Sequence, residues 1–255
     1  MSRITRQKGV LELLSIAIVL GIWELVAVFI VGKTFTLPSF HEVATSFYDL
    51  RKDIPGDVAI SLKRFAIGLL WAAVVGIPIG AAMGWFKSME RMFDPIIQVI
   101  RPIPPIAWIP FALVWFHLTD YGAGFVVFIG ALFPILINTY AGFKSVPRRL
   151  VETAQVLGRT KSYGLIRFVA FPYAAPSIFT GIRISMGVGW MCIIAAEMIG
   201  FKSGLGFRLW QRFWFLHQMD NLMAYMILIG VVALVMDYVF RYLTERRLLR
   251  WYKEV

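Results

Sequence analysis

Two stretches of this chain, Phe65 to Phe86 and Tyr121 to Phe143, contain no charged side chain, the first over 22 residues. As an α-helix the first is about 33 Å long, enough to cross the hydrocarbon core of a bilayer. Backbone groups in hydrocarbon must bond within their own segment, so runs of this kind are restricted to helices packed among other helices. The composition agrees. The chain is 59% hydrophobic and 16% charged, against about 45–50% and about 25% in soluble domains, and its mean hydropathy is +0.71. The fold class expected is all-α integral membrane, with about six transmembrane helices. A formal charge of +11 would fit a nucleic-acid binder, but the basic residues lie between apolar runs, as membrane topology requires. Nucleic acid is excluded as a partner, and the lipid bilayer is included.

The remaining spans are less regular. Arg3, Arg6 and Lys8 precede an apolar run from Gly9 to Val31, too long for a signal peptide and interrupted by Glu12 and Glu24. It reads as a first membrane helix. Ala27 to Thr34 fits a relaxed phosphate-loop pattern, but it ends a hydrophobic span instead of joining a strand to a helix, so no ATP site is expected there. Ser39 to Glu42 is a capping box opening an amphipathic helix with Phe40, Val43, Phe47 and Leu50 on one side. Asp53 to Asp57, with Pro55 and Gly56, reads as a turn. In the second span Gly68, Ala72, Gly76, Gly80 and Gly84 recur every fourth residue, a stripe that admits another helix closely. Lys87, Glu90, Arg91 and Asp94 read as a short loop.

Arg101 to Pro110 holds four prolines, Pro102, Pro104, Pro105 and Pro110, with Trp108 among them. No regular helix accommodates that density. A broken span must lie against protein or a water-filled cavity, so Pro104 and Trp108 are candidate pathway residues, with a simple kink as the alternative. Asn138 is a polar group in the fourth span; interhelical bonding competes with a pathway role. The fifth span, Pro172 to Gly200, holds Arg183 and Glu197, about 21 Å apart along the helix axis and unable to pair with each other. Each lines a pathway or pairs elsewhere; for Arg183, Glu24 is one possible acid. Gly204 to Trp214 reads as an aromatic, basic outer loop. Asn221 to Leu243 is the sixth span, where Asp237 and Arg241 are spaced to pair. Cys192 lies in an apolar stretch, and His41, His117 and His217 are scattered, so neither a disulfide framework nor a metal site is expected.

Between the fourth and fifth spans, Lys144 to Pro172 carries Lys144, Arg148, Arg149, Arg159, Lys161 and Arg167 against one acid, Glu152. Pro147 suits a first helical turn. Leu150, Ala154 and Leu157 form an apolar stripe, and Gly158 can close the helix in the left-handed conformation. Thr160 or Ser162 can cap a second short helix, and Pro172 marks the next start. The segment is either an ordinary basic loop or a docking surface. With the N-terminus inside, the inner segments hold 16 Lys and Arg and the outer ones 8, which places this segment in the cytoplasm.

Glu152-Thr-Ala154 with Gly158 and Pro172 resembles the coupling motif of ABC-importer permeases, although Thr153 replaces an alanine and Pro172 lies one residue further on. Ser61 to Arg64 with Gly68, the Arg101 to Pro110 run with Trp115-Phe116, Phe133-Pro134-Ile135 with Asn138, and Ala196-Glu197-Met198 resemble the nitrate, sulfonate, taurine and bicarbonate group. There the tryptophan–phenylalanine pair is followed by glycine; here His117 follows. The resemblance implies a type I ABC importer permease fold with cytoplasmic coupling helices: residues 1–58 an N-terminal helix and external helix, 59–245 the transport domain, 246–255 a cytoplasmic tail. It implies ATPase-coupling roles for Arg148, Glu152, Ala154, Leu157, Gly158 and Arg159. It also implies two ATP-binding subunits carrying ATP and magnesium, an extracytoplasmic solute-binding protein, and a second permease copy or paralogue in a prokaryotic inner membrane. This chain itself would bind no cofactor and catalyse nothing. A secondary carrier or channel, and a membrane-embedded enzyme, are the rival readings. The first lacks a visible internal repeat; the second lacks a nucleophile, metal set or acid–base pair.

Overall fold

The computed structural model describes residues 14–15, 17–31, 36–158 and 161–244. An apolar helix, α1 (Ala17–Ile30), ends in a wide π-type turn at Val26–Val31. Next, α2 (Phe40–Leu50) starts at the expected capping box: Ser39 accepts from the Glu42 amide and the Glu42 carboxylate accepts from the Ser39 amide at 2.8 Å. Val43 and Leu50 are buried beneath it. Then come α3 (Ile54–Trp85), α4 (Lys87–Ile100), a 3-10 turn at Pro105–Trp108, α5 (Ile109–Phe116) and α6 (Asp120–Lys144). The chain continues through α7 (Arg148–Val156), α8 (Ser162–Leu165), α9 (Phe171–Gly200), α10 (Leu205–Trp214) and α11 (Met219–Leu243).

Among the described residues, α3, α6, the continuous stretch Ser162–Gly200 and α11 are long and apolar enough to cross a membrane. A fifth crossing results if α4 and Pro105–Phe116, bent by 88°, form one broken span. Of the predicted first span, the described part is the shorter α1. The prolines therefore break the third span where the sequence placed the break.

The core is a three-helix stack with α6 in the middle. The glycine stripe of α3 lies against α6: a methyl added at Gly80 would stand 2.5 Å from the Leu136 carbonyl oxygen, and one at Gly84 2.5 Å from the Phe143 Cβ. On its other side α6 packs against α9, where Gly130 meets the Cys192 Sγ and Gly181 meets the Asn138 Cβ. Hydrocarbon offers no hydrophobic drive for helix association, so close backbone approach and the dispersion it gains must hold these helices together.

Several local readings change. Asp53 to Asp57 is not a free turn: Pro55 occupies the first turn of α3, where its missing N–H costs nothing. Lys87 to Asp94 is helical and opens α4. Gly204 to Trp214 folds mostly into α10. Ser162 begins α8 without capping it, since Lys161 holds the cap position and makes no side-chain cap bond. Pro172 stands in the first turn of α9, as the sequence places it, but α9 runs on from α8 without a break. A π turn at Ile166–Ala170 joins α8 to α9, and this wider turn absorbs the proline's missing donor and ring bulk.

Candidate functional site

The segment between α6 and α9 contains α7, a helix with no fully buried side chain. On α7, Arg148 and Glu152 are exposed, and Ala154 is half-buried. Leu150, Val156 and Leu157 are 44%, 87% and 78% exposed. Gly158 follows with φ +89°, and nothing lies within 4 Å of where its Cβ would be. The glycine thus answers to backbone conformation and not to crowding. Arg159 lies outside the described residues. The predicted apolar stripe exists, but this chain does not cover it.

At the same end, Tyr140 donates its hydroxyl to Glu90 at 2.6 Å, and Lys144 reaches Glu90 at 2.7 Å. Lys144 also contacts the Tyr140 hydroxyl. The start of α4 is thereby tied to the end of α6, immediately before the turn into α7. Beyond α4, Pro104 is exposed at the bend, and Trp108 closes the 3-10 turn with its ring tilted against Phe111. The Trp108 indole N–H is buried without a partner among the described residues. Asn138 donates its amide to the Pro134 carbonyl at 2.8 Å, within its own helix. A cavity of about 540 Å³ opens between α3, α4 and α6.

The two charges of the fifth span go to separate partners. Glu197 is completely buried, with 0% of its surface exposed. Its carboxylate accepts from Ser61 Oγ at 2.8 Å, Arg64 Nη1 at 2.9 Å and the Gly206 amide at 3.0 Å. Arg64 is saturated too, donating to Asp120 at 2.8 Å and to the Ser203 carbonyl at 2.7 Å. Ser61 in turn accepts from the Leu205 amide at 2.9 Å. Gly204, with φ +101°, lies so close to the Glu197 carboxylate that a side chain there would collide with it. This hub fastens α3, α6, α9 and α10 together. Arg183 meets Asp237 with two parallel bonds of 2.6 and 2.7 Å, next to a small cavity between α9 and α11. Its acid is therefore Asp237, not Glu24, whose carboxylate instead accepts from the Phe40 amide at 2.7 Å. Asp237 thus bonds across to α9, with Arg241 one turn further along α11.

The family model for the binding-protein-dependent transport system inner membrane component matches residues 74–248, a stretch running from α3 through α11. The chain belongs to that family. It is the membrane-spanning permease subunit of an ABC importer. A putative ABC transporter permease protein of Methanocaldococcus jannaschii is 38% identical over 251 residues, 96% of this chain and 93% of that one. A nitrate import permease of Synechocystis is 36% identical, covering 93% and 88%. The taurine transport permease of Escherichia coli is 36% identical, covering 78% and 71%. Among solved structures, the inward-facing MetNI methionine ABC transporter superposes with TM-score 0.64 at 18% identity, covering 75% of this chain and 94% of that chain. It shares the fold.

Two groups in this permease escaped the sequence reading. Arg64 was counted among outer-segment charges, yet its side chain is 6% exposed within α3. Asp57, read as a turn residue, is buried and accepts from the Tyr225 hydroxyl at 3.0 Å and from Arg208 Nε at 3.2 Å. A signal existed: Asp57, Ser61 and Arg64 follow at spacings of four and three, the period of one helical face.

Proposed function

We propose that this permease subunit moves a small solute, of the class of nitrate, bicarbonate or a sulfonate, by alternating access driven from separate ATP-hydrolysing subunits. In this reading α7 is the coupling helix. Arg148, Glu152, Ala154, Leu157 and Gly158 form its docking surface, with Arg159 following in sequence. Closure of two ATPase subunits on ATP and magnesium would push α7, and the Glu90–Tyr140–Lys144 link would carry that motion into α4 and the proline bend. Pro104, Trp108 and Asn138 belong to the pathway wall. Glu197 and Arg183, first considered for the same wall, serve instead to fix α10 and α11 to the bundle. A second copy or a paralogue completes the pathway, and a solute-binding protein delivers solute at the α10 end. The N- and C-termini and α7 lie on the cytoplasmic side.

The observation that carries this reading is the uncovered apolar side of α7. An amphipathic helix of nine residues with no fully buried side chain is marginal alone. Leucines held 44% and 78% exposed gain only when a partner covers them. The similarity to nitrate and taurine permeases supports the solute class. The test is co-purification. Leu150→Glu with Leu157→Glu should abolish retention of the ATPase subunits while leaving the thermal unfolding of the permease unchanged. Undiminished ATPase binding would place the docking surface elsewhere, and equal filling of vesicles without any ATPase would favour a self-contained carrier.

A further inference from the structure

Three arginines of the membrane portion differ in what their guanidinium groups hold. Arg64 is filled by Glu197, Asp120 and Ser203. Arg183 is held in a two-bond pair with Asp237. Arg101 stands at the corner where α4 ends and the 88° bend begins. Among the described residues its guanidinium has no hydrogen bond and no ion pair. It lines the cavity of about 540 Å³ together with Asp94, Gln98, Met83, Leu136 and Tyr140.

We propose that this cavity is a binding site for a small oxyanion on the transport path, and that Arg101 is the residue that holds it. The inference rests on the anion reading above and assigns it a place. Asp94, Gln98 and Arg101 are spaced four and three apart and share one face of α4. Gln98 donates one amide hydrogen to Asp94 at 2.6 Å and keeps the other. Asp94 is seven residues from Arg101, about 10 Å along the axis, and makes no ion pair with it. The donors free at the Arg101 end are therefore the five guanidinium N–H groups and one Gln98 N–H. A guanidinium fork matches two oxygens of a nitrate, bicarbonate or sulfonate group at once. The opposite walls, Met83 and Leu136, are apolar, so the bound charge is screened less than in water. Arg183 cannot do this work while Asp237 occupies its fork.

The test uses the complete importer, permease with its ATPase subunits and binding protein, in proteoliposomes. The probes are ¹⁵N-nitrate, ¹³C-bicarbonate and ³⁵S-taurine, each supplied with ATP. Uptake of whichever probe the wild type carries should fall at least about tenfold in Arg101→Gln, the loss expected for a charge-assisted bond. The thermal unfolding of the permease and its retention of the ATPase subunits should be unchanged, because α7 and the Glu197 hub are untouched. Arg101→Lys should recover part of the uptake, since it keeps the charge and loses the fork. Wild-type uptake in Arg101→Gln would overturn the site while leaving the anion reading in place. So would a loss of uptake in both variants that goes with lower thermal stability or lost ATPase retention, which marks a merely structural arginine. A wild type that imports none of the three probes, and takes up an uncharged solute instead, would overturn the anion reading and the site with it.

Discussion

At the α10 end of the bundle, Glu197 and Arg64 between them engage a hydroxyl, a backbone amide, a backbone carbonyl and a second carboxylate, all within 3.0 Å. At the α7 end, Val156 and Leu157 touch almost nothing. Both ends are polar caps on the same apolar stack, yet the hub at one pairs its buried charges internally and the other leaves its apolar side uncovered. A buried charge tolerates no vacancy, so the first end must be complete within the chain. Exposed leucines cost little, so the second end can wait for a partner. Burial and saturation thus separate what holds the permease together from what it offers to other subunits.

The contrast breaks most sharply at the hub. Arg64→Ala leaves Glu197 charged and without a counterion in a site closed to water, and should destabilise the permease by about 3–5 kcal/mol. Thermal unfolding in nanodiscs measures it, and failure to accumulate in the membrane would be the extreme form of the same result. Replacing both partners, Arg64→Met with Glu197→Leu, should recover much of that loss, because no orphaned charge remains. If Arg64→Ala unfolds like the wild type, the hub does not hold the α10 end. The helix stack comes next. Gly80→Val places a branched side chain against the Leu136 carbonyl and the Thr139 Cβ, 2.5 and 2.8 Å from its first carbon. Overpacking of this kind costs about 1–3 kcal/mol, read as a lower unfolding temperature and as cross-linking lost between α3 and α6.

How much of this was legible beforehand follows from the range of the interactions. The glycine stripe of α3 was legible because a four-residue period is local and close packing is what such a period permits. The capping box at Ser39 and the left-handed Gly158 were legible for the same reason. The partners of Glu197 and Arg183 were not. Arg64 lies 133 residues from Glu197, and Asp237 lies 54 from Arg183. A single sequence shows that a buried charge needs a counterion without saying which one. Asp57 was misread because Pro55 and Gly56 signal a turn as strongly as they signal a helix start. Pro172 was legible as the start of α9, but the π turn that joins α9 to α8 was not, because such a turn is invisible to any count of threes and fours.

A smaller effect, of opposite sign, is expected at the corner between α5 and α6. His117 takes φ 54° and ψ −160°, a region that only glycine enters without strain. Strain there is of order 1–3 kcal/mol. Glycine relieves it but adds chain entropy to the unfolded state, so His117→Gly should stabilise by about 1 kcal/mol. An unfolding temperature that drops on this change would mean the histidine makes a bond worth more than its strain.

The smallest effect on stability should come from Leu157→Ala, and it sharpens the comparison most. A side chain 78% exposed contributes within about 0.5 kcal/mol to the fold. Its loss should nevertheless weaken retention of the ATPase subunits, because in the assembled importer that same side chain would be covered. The measurement is a pair: unfolding temperature of the isolated permease, and ATPase co-purification from membranes. Unchanged stability with weakened retention is the signature of a surface kept for a partner. A fall in stability alone would mean that α7 belongs to the same self-satisfied class as the hub, and that the motion of an ATPase must enter the bundle elsewhere.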